Sequence, residues 1–221
     1  TGIHEYAALG YMPQAMRNYL TRLGWSHGND ELFTTQQAIE WFDFNGLGKS
    51  PSRLDFKKLD NVSAHHIKTA DAETLATDLF NFADEIGTPV DNTAKASIQT
   101  ALPILREKSK RLNDVLDKAH FILTSRPIDL DEKSTENLNS VSIGILKQLT
   151  PLLADASWSA AELEASMRDF AAAQDIGLGK IGMPLKAALS GRANAPSAFG
   201  MMEILGRDET LARIMDVTDN H

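Results

Sequence analysis

The stretch Gly10–Glu31 reads GYMPQAMRNYLTRLGWSHGNDE. Met12, Met16, Tyr19, Leu20 and Leu23 recur at spacings of three and four, which places them on one face of a helix. Gly24 stands where a helix takes its left-handed stop. Trp25 then folds back on the apolar face, and Gly28-Asn29-Asp30 reads as a turn. A single His27 in such a turn reads as solvated rather than catalytic, because acid–base chemistry needs a positioned partner.

The same period runs along the chain. Thr34 with Gln37 forms a capping box, with Ile39, Trp41 and Phe42 as the apolar side that follows. Leu75, Leu79, Phe82 and Ile86 make a stripe after Asp71. Leu105, Leu112, Leu116, Ala119 and Leu123 make another. Leu138, Val141, Ile145, Leu149 and Leu152 make a third. Ser159 with Glu162 is a second capping box, with Trp158 and Leu163 placed as a hydrophobic staple. Leu185, Ala188 and Leu189 precede Gly191, a helix stop. Only Arg53-Leu54-Asp55-Phe56 suits a short extended piece, and no βαβ rhythm or fixed-period repeat is present. The fold class read from this pattern is all-α. Pro127 and the charges of Ser125–Asp131 mark a linker, and a weaker boundary lies between Asn61 and Asp71.

Composition narrows the function classes. The 221 residues suffice for one large domain or two small ones. No apolar run approaches the ~20 residues that cross a bilayer, and no secretory leader is visible. The absence of cysteine excludes disulfides and Cys-based zinc sites. The sequon Asn61-Val62-Ser63 reads as chance, and a cytoplasmic setting is the default. A start at Thr1 suggests a fragment or a processed chain. The net charge of −8 argues against nucleic-acid binding as a global property, but the charge is uneven. Arg106, Lys108, Lys110 and Arg111 crowd into six positions against Glu107 alone. Lys180–Arg207 holds four basic residues and one acid, while Arg126–Asp175 holds four basic and nine acidic. By themselves these two clusters read as solvated helix faces.

Three motifs fail on their context. Gly177-Leu178-Gly179-Lys180-Ile181-Gly182 fits a dinucleotide fingerprint, but helix-like sequence stands where a strand is required. Gly46-Leu47-Gly48-Lys49-Ser50 ends like a P-loop, yet Asp43 stands where its first glycine belongs. His65 and His66 are adjacent, so they leave a helix on different faces, whereas metal pairs want i, i+4 spacing. No nucleophile, base and orienter come together, so no catalytic residue and no metal site are assigned.

Three stretches carry a resemblance. Gly10–Leu20, running into Leu23-Gly24-Trp25, resembles the G-Y-L-P-E-A-x-x-N-Y-L-x-x-L-G-W segment of bacterial glutamyl-tRNA synthetases, which follows their lysine-rich catalytic loop. Ser50-Pro51-Ser52-Arg53-Leu54-Asp55 with Lys57-Lys58-Leu59 is similar to the stretch leading into their K-L-x-W-L-N-x-x-Y. There Asn61, Val62, Ser63 and His66 depart from Trp, Leu, Asn and Tyr. Pro184–Gly191 resembles P-L-R-x-A-L-T-G, and Leu205–Arg213 resembles L-G-x-E-R-x-L-x-R. The matches fall in family order and span nearly the whole chain.

The resemblance implies a helical cage of two or three subdomains that grips the inside of the tRNA L and the anticodon. It implies a stem-contact-like segment at 1–66, a first anticodon-binding subdomain at 67–128 and a C-terminal one at 129–221. Lys186 falls where the family often has an anticodon-reading arginine; Lys keeps the charge and loses the two-donor fork. Ala195 falls where some members use a hydrogen-bonding side chain. Arg106 and Lys108 both fall near another anticodon-contacting arginine. With Lys110, Arg111 and Arg192 these form the implied tRNA-binding set. Unstacked anticodon bases expose their Watson–Crick edges while cations hold phosphates, so the resemblance turns the two basic clusters toward RNA. The H-I-G-H-type and K-M-S-K-type motifs are absent, which implies that the Rossmann catalytic domain lies outside this chain. The parent would be a glutamate–tRNA ligase using ATP and magnesium. This fragment would be an inactive, cofactor-free, monomeric portion, with tRNA-Glu or tRNA-Gln as partner and no membrane. The alternative is a helical protein-interaction module without an RNA role.

Overall fold

A computed structural model describes residues 2–49 and 53–219. Ser50, Pro51 and Ser52 of the second resembling stretch lie outside the described residues. The described residues form 14 helices and no sheet, as the periodicity predicts. In chain order these are α1 (Ile3–Ala8), α2 (Pro13–Gly24), α3 (Thr35–Trp41), α4 (Phe56–Thr69), α5 (Ala72–Glu85), α6 (Asn92–Leu105) and α7 (Leu112–Lys118). They continue with α8 (His120–Leu123), α9 (Glu132–Asn137), α10 (Ser140–Asp155), α11 (Ala160–Ala173), α12 (Gly179–Ser190), α13 (Ala198–Leu205) and α14 (Arg207–Thr218). Among the described residues, extended pairing is confined to one antiparallel bridge, between Trp25 and Leu47. Residues 53–55 pair with no strand; Asp55 is extended because it caps α4, accepting from the Lys57 and Lys58 amides at 2.8 and 3.3 Å.

The chain packs as two compact units, residues 1–91 with 106–116, and residues 92–105 with 117–221. In the first unit α2 lies on α3 and α4. Pro13 opens α2 at a position where a missing N–H is harmless. Met12, Met16, Tyr19 and Trp25 are buried, whereas Leu20, predicted on the same face, is 43% exposed and Leu23 is half-buried, so only part of the predicted apolar face packs. Gly24 departs from expectation. It is the last helical residue, and Trp25 caps the helix in extended geometry, φ −149°. The physical reason is the bridge to Leu47: the Gly24 carbonyl accepts from the Gly48 amide at 2.9 Å, which a left-handed turn would misdirect. The capping box of α3 is present, Thr34 Oγ1 and Gln37 Oε1 each accepting from the other's amide at 3.1 and 2.8 Å. Yet α3 buries nothing: Ile39 is 67% and Phe42 51% exposed, with Phe44 beyond it at 82%. Helix α4 continues through most of the boundary expected between Asn61 and Asp71 and ends inside it, at Thr69, with Ala70 and Asp71 as the break before α5.

The second unit is organised on α12, which packs against α9, α10, α13 and α14. Ile181, Leu185, Ala187, Ala188 and Leu189 supply its buried face. Gly191 stops it with φ +65°, and a Cβ there would collide with the Asp129 carbonyl. Glycine is required on both counts. The third predicted stripe is rotated: Ile143, Leu146, Leu149 and Leu153 are buried on α10, while Val141 is 72% and Leu152 49% exposed. The stripe through Leu105 to Leu123 is divided among α6, α7 and α8. Residues 125–131 are irregular and lie within the second unit.

Candidate nucleic-acid interface

The first basic cluster is a turn after α6, built from residues 106–111. Lys108 has φ +56°, a left-handed conformation uncommon for a side-chain-bearing residue. The Ser109 amide donates to the Arg106 carbonyl at 3.1 Å and closes the turn. Asp114 Oδ2 accepts from the Lys110 and Arg111 amides at 2.8 and 3.1 Å. Lys108 and Lys110 are exposed at the apex.

The two arginines of this turn point elsewhere. Arg106 Nη1 donates to the Lys68 and Ala70 carbonyls at 3.1 and 2.9 Å, at the C-terminal end of α4. That end leaves carbonyls without helical partners and carries partial negative charge, so a guanidinium suits it. Arg111 donates from Nε to Asp60 Oδ1 at 3.0 Å, its Nη2 lies 2.8 Å from the same oxygen, and its guanidinium sits 4.7 Å over the Tyr11 ring. Tyr11 OH donates to that oxygen at 2.7 Å. Burial, reinforced by the bond to Asp60, pushes the Tyr11 phenol well above its ordinary range. Burial acts to raise Asp60, but the bonds from Tyr11 and Arg111 prevail and hold it below the usual carboxylate range. The Leu112 amide donates to Gly10 O at 2.7 Å, so residues 10–11 and 111–112 are joined side by side. Asp60 and Tyr11 escape sequence reading because their partner is 51 residues from Asp60 and no local pattern links them.

The second cluster is the end of α12 and the loop after it. Lys186 is half-buried, with Nζ 3.4 Å from the Ala195 carbonyl. Ala195 thus meets Lys186 through its backbone. Arg192 Nη1 donates to Asp129 O at 2.8 Å and to Gly191 O at 3.1 Å. Asp131 accepts from the Ala193 amide at 2.9 Å and from the Ser134 amide at 2.7 Å; the Ala193 bond leads in holding its carboxyl below the usual range. Lys186 therefore lies on α12 and meets Ala195 of the loop that follows, which also carries Arg192, while Arg106–Arg111 share one turn. Arg207 stacks 5.3 Å over Trp158 and Arg213 is buried, donating to the Phe121 and Leu189 carbonyls at 2.8 and 2.6 Å. Both brace the fold.

The rejected motifs have structural roles. Asp43 accepts at Oδ1 from the Gly46 amide at 2.8 Å, and its carbonyl accepts the Trp25 indole N–H at 3.0 Å. A Cβ on Gly46 would strike the Trp25 ring, so this glycine serves packing. Gly179 opens α12, and α11 rather than a strand precedes it. His66 is buried against Asn18 Oδ1 at 2.9 Å, and its ring stands at 87° to that of His65. His27 is exposed, pairs with Asp30 at 2.9 Å and stacks 4.6 Å from Trp41. In the sequon, Ser63 is buried. Among the described residues no three His, Cys, Asp or Glu side chains gather to hold a metal.

Comparison with known proteins places these turns in context. Residues 63–218 match the anticodon binding domain family, and residues 1–61 match the catalytic domain of class I tRNA synthetases for E and Q. The catalytic family therefore reaches into the segment expected to be only stem-contact-like. Glutamate–tRNA ligase 1 of Dinoroseobacter shibae is 50% identical over 218 residues, covering 98% of this chain and 46% of the relative. Glutamate–tRNA ligase 2 of Paracoccus denitrificans is 50% identical over 216 residues, with 97% and 46% covered. The chain spans about half the length of the curated relatives it matches. A crystal structure of a glutamate tRNA ligase from Elizabethkingia meningosepticum, 24% identical, superposes with a TM-score of 0.77 over 97% of this chain and 42% of that one. This last likeness shows the fold.

Proposed function

We propose a function from one premise: the chain belongs to the anticodon binding domain family. It is the tRNA-recognition portion of a glutamate–tRNA ligase, an enzyme that attaches glutamate to tRNA at the expense of ATP. One observation carries this reading. The 63–218 match encloses both basic clusters, the turn at 106–111 and the helix end and loop at 186–195, on a chain whose balance is otherwise acidic.

The chemistry follows from the geometry. Lys108 and Lys110 stand exposed on a closed turn and can neutralise phosphates. Lys186, with Nζ 3.4 Å from the Ala195 carbonyl, brings a point charge beside backbone acceptors able to read a base edge. The partner is tRNA-Glu or tRNA-Gln, and the setting is the cytoplasm, with the protein acting as a monomer. Among the described residues no helix is long and apolar enough to cross a membrane.

ATP and magnesium belong to the whole ligase. The residues here do not fit the nucleotide: the Gly46 amide of the glycine-rich turn already bonds Asp43, and Gly177–Gly182 follows a helix.

Filter binding of tRNA across a salt series tests the reading. Lys108→Ala should lower the slope of log K against log salt by roughly 0.7, the single-strand value per phosphate contact. Lys186→Ala should lose about 1–3 kcal/mol and relax one anticodon position if it reads a base. Lys147→Ala, on α10, is the control. Equal binding by all three variants and the parent chain refutes the RNA assignment. The exposed Ile39, Phe42 and Phe44 favour the second reading, a protein-binding module, which predicts no tRNA retention.

A further inference from the structure

Within the turn at 106–111 the four cations do not share one task. Arg106 and Arg111 fasten its two ends to one helix, α4: Arg106 at the carbonyls of Lys68 and Ala70, Arg111 at Asp60, eight residues before Lys68. The remaining pair, Lys108 and Lys110, stands exposed between those fastenings. We propose that Arg106 and Arg111 are positioning residues, which hold Lys108 and Lys110 in the geometry that meets RNA without touching RNA themselves. This rests on the tRNA-binding reading.

Three physical points support the division. The left-handed backbone of Lys108, φ +56°, is of the kind that persists only where the surroundings impose it. Arg106 donates twice from Nη1, and Arg111 brings Nε and Nη2 to one Asp60 oxygen, so both ends of the turn are held by guanidinium contacts that can impose it. Further, Arg111 shares Asp60 with Tyr11 and lies over the Tyr11 ring, so leaving that site would strip both an ion pair and a ring contact. Finally, a loop that arrives ordered loses less entropy on binding, which is where a positioning residue gains its effect.

The test uses the whole chain and an unmodified tRNA-Glu transcript, with binding measured across a salt series. Asp60→Asn is the first variant because the two accounts differ in sign. Removing an acid near an RNA site by charge alone should tighten binding. Loss of the anchor for Arg111 should weaken it, by about tenfold, or about 1.4 kcal/mol. Arg106→Lys keeps the charge but its Nζ stops one bond short of the position of Nη1, so the contacts to Lys68 and Ala70 are lost and binding should weaken similarly with an unchanged salt slope. Lys108→Ala/Lys110→Ala should reduce the slope by about 1.4. In that double-variant background Arg106→Lys should have little further effect, since nothing remains to be positioned. A general folding defect would persist in that background and would lower the melting temperature of the free chain. Tighter binding by Asp60→Asn, or an undiminished Arg106→Lys loss in the double variant, overturns the positioning roles. Unchanged binding by Lys108→Ala/Lys110→Ala instead removes the RNA reading at this turn, and the proposal with it.

Discussion

Gly191→Ala tests the joint between α12 and the second basic loop. The residue has φ +65°, where an alanine costs about 1 kcal/mol in backbone strain. Its new Cβ would also meet the Asp129 carbonyl oxygen and Ile128 Cγ2. Backbone at the nearest contact cannot swing aside as a flexible side chain could, so overpacking adds about 1–3 kcal/mol. Relief by moving residues 128–129 would strain two further bonds, Asp131 N–H to Gly191 O at 2.8 Å and Arg192 Nη1 to Asp129 O at 2.8 Å. The sum is a loss of about 2–4 kcal/mol. With a urea m-value of about 2 kcal/mol/M, the midpoint of the second unit should fall by about 1–2 M. Urea unfolding followed by far-ultraviolet circular dichroism reads this. Gly144→Ala supplies the matched control, because Gly144 lies inside α10 with open space about its Cβ position. There alanine should stabilise by about 0.5–1 kcal/mol. If Gly191→Ala unfolds at or above the midpoint of the parent chain, the left-handed stop and its collision with Asp129 do not constrain this loop.

Acid should weaken the first unit through His66. Burial, then the nearby charges of His65 and Arg17, lower its pKa from 6.5 to about 4, so the folded state prefers the neutral ring. This contribution is full above pH 6.5 and is lost as the pH falls toward 4, amounting to about 2–3 kcal/mol; thermal melts from pH 7 to 4 should show the decline, and His66→Gln should flatten it. Leu149→Ala on α10 should cost about 2–5 kcal/mol while Val141→Ala stays within about 0.5, and equal effects in denaturant titrations would refute the rotated register. Purified chain should give no glutamate-dependent exchange between ATP and pyrophosphate; exchange above background would contradict the misfit of its glycine-rich turns to nucleotide.

Much of the helical plan was legible because its signals are local. Thr34 with Gln37, Ser159 before Glu162 and Gly191 after Leu189 each act within four residues, and each marks a real helix end. Register failed on α10, where apolar side chains occur nearly all round and two stripes compete; only packing chooses Leu146 and Leu153 over Val141 and Leu152. Gly24 failed because a bridge to Leu47, 22 positions away from Trp25, overrode the local preference of glycine. The basic turns were legible as charge clusters and as positions in a family pattern. Which cations face outward was not, since Arg106 and Arg111 are claimed by Lys68, Ala70 and Asp60, all distant in sequence.

Helix α4 gives the chain a seam that is not a joint. The two family matches meet between residues 61 and 63, yet the helix spans Phe56–Thr69 without interruption, with Leu59 and Ile67 both sealed in the core. Cleavage at that point would leave stubs of under two turns, far below the ~12 residues at which an isolated helix becomes even marginal in water. It would also part Asp60 from the His66 side of the same rod, so that Arg111 and Asn18 would each bond to a different piece. Chimaeras that exchange recognition halves between ligases should therefore be spliced outside this rod, before Asp55 or after Ala70, so that the whole helix travels with one parent.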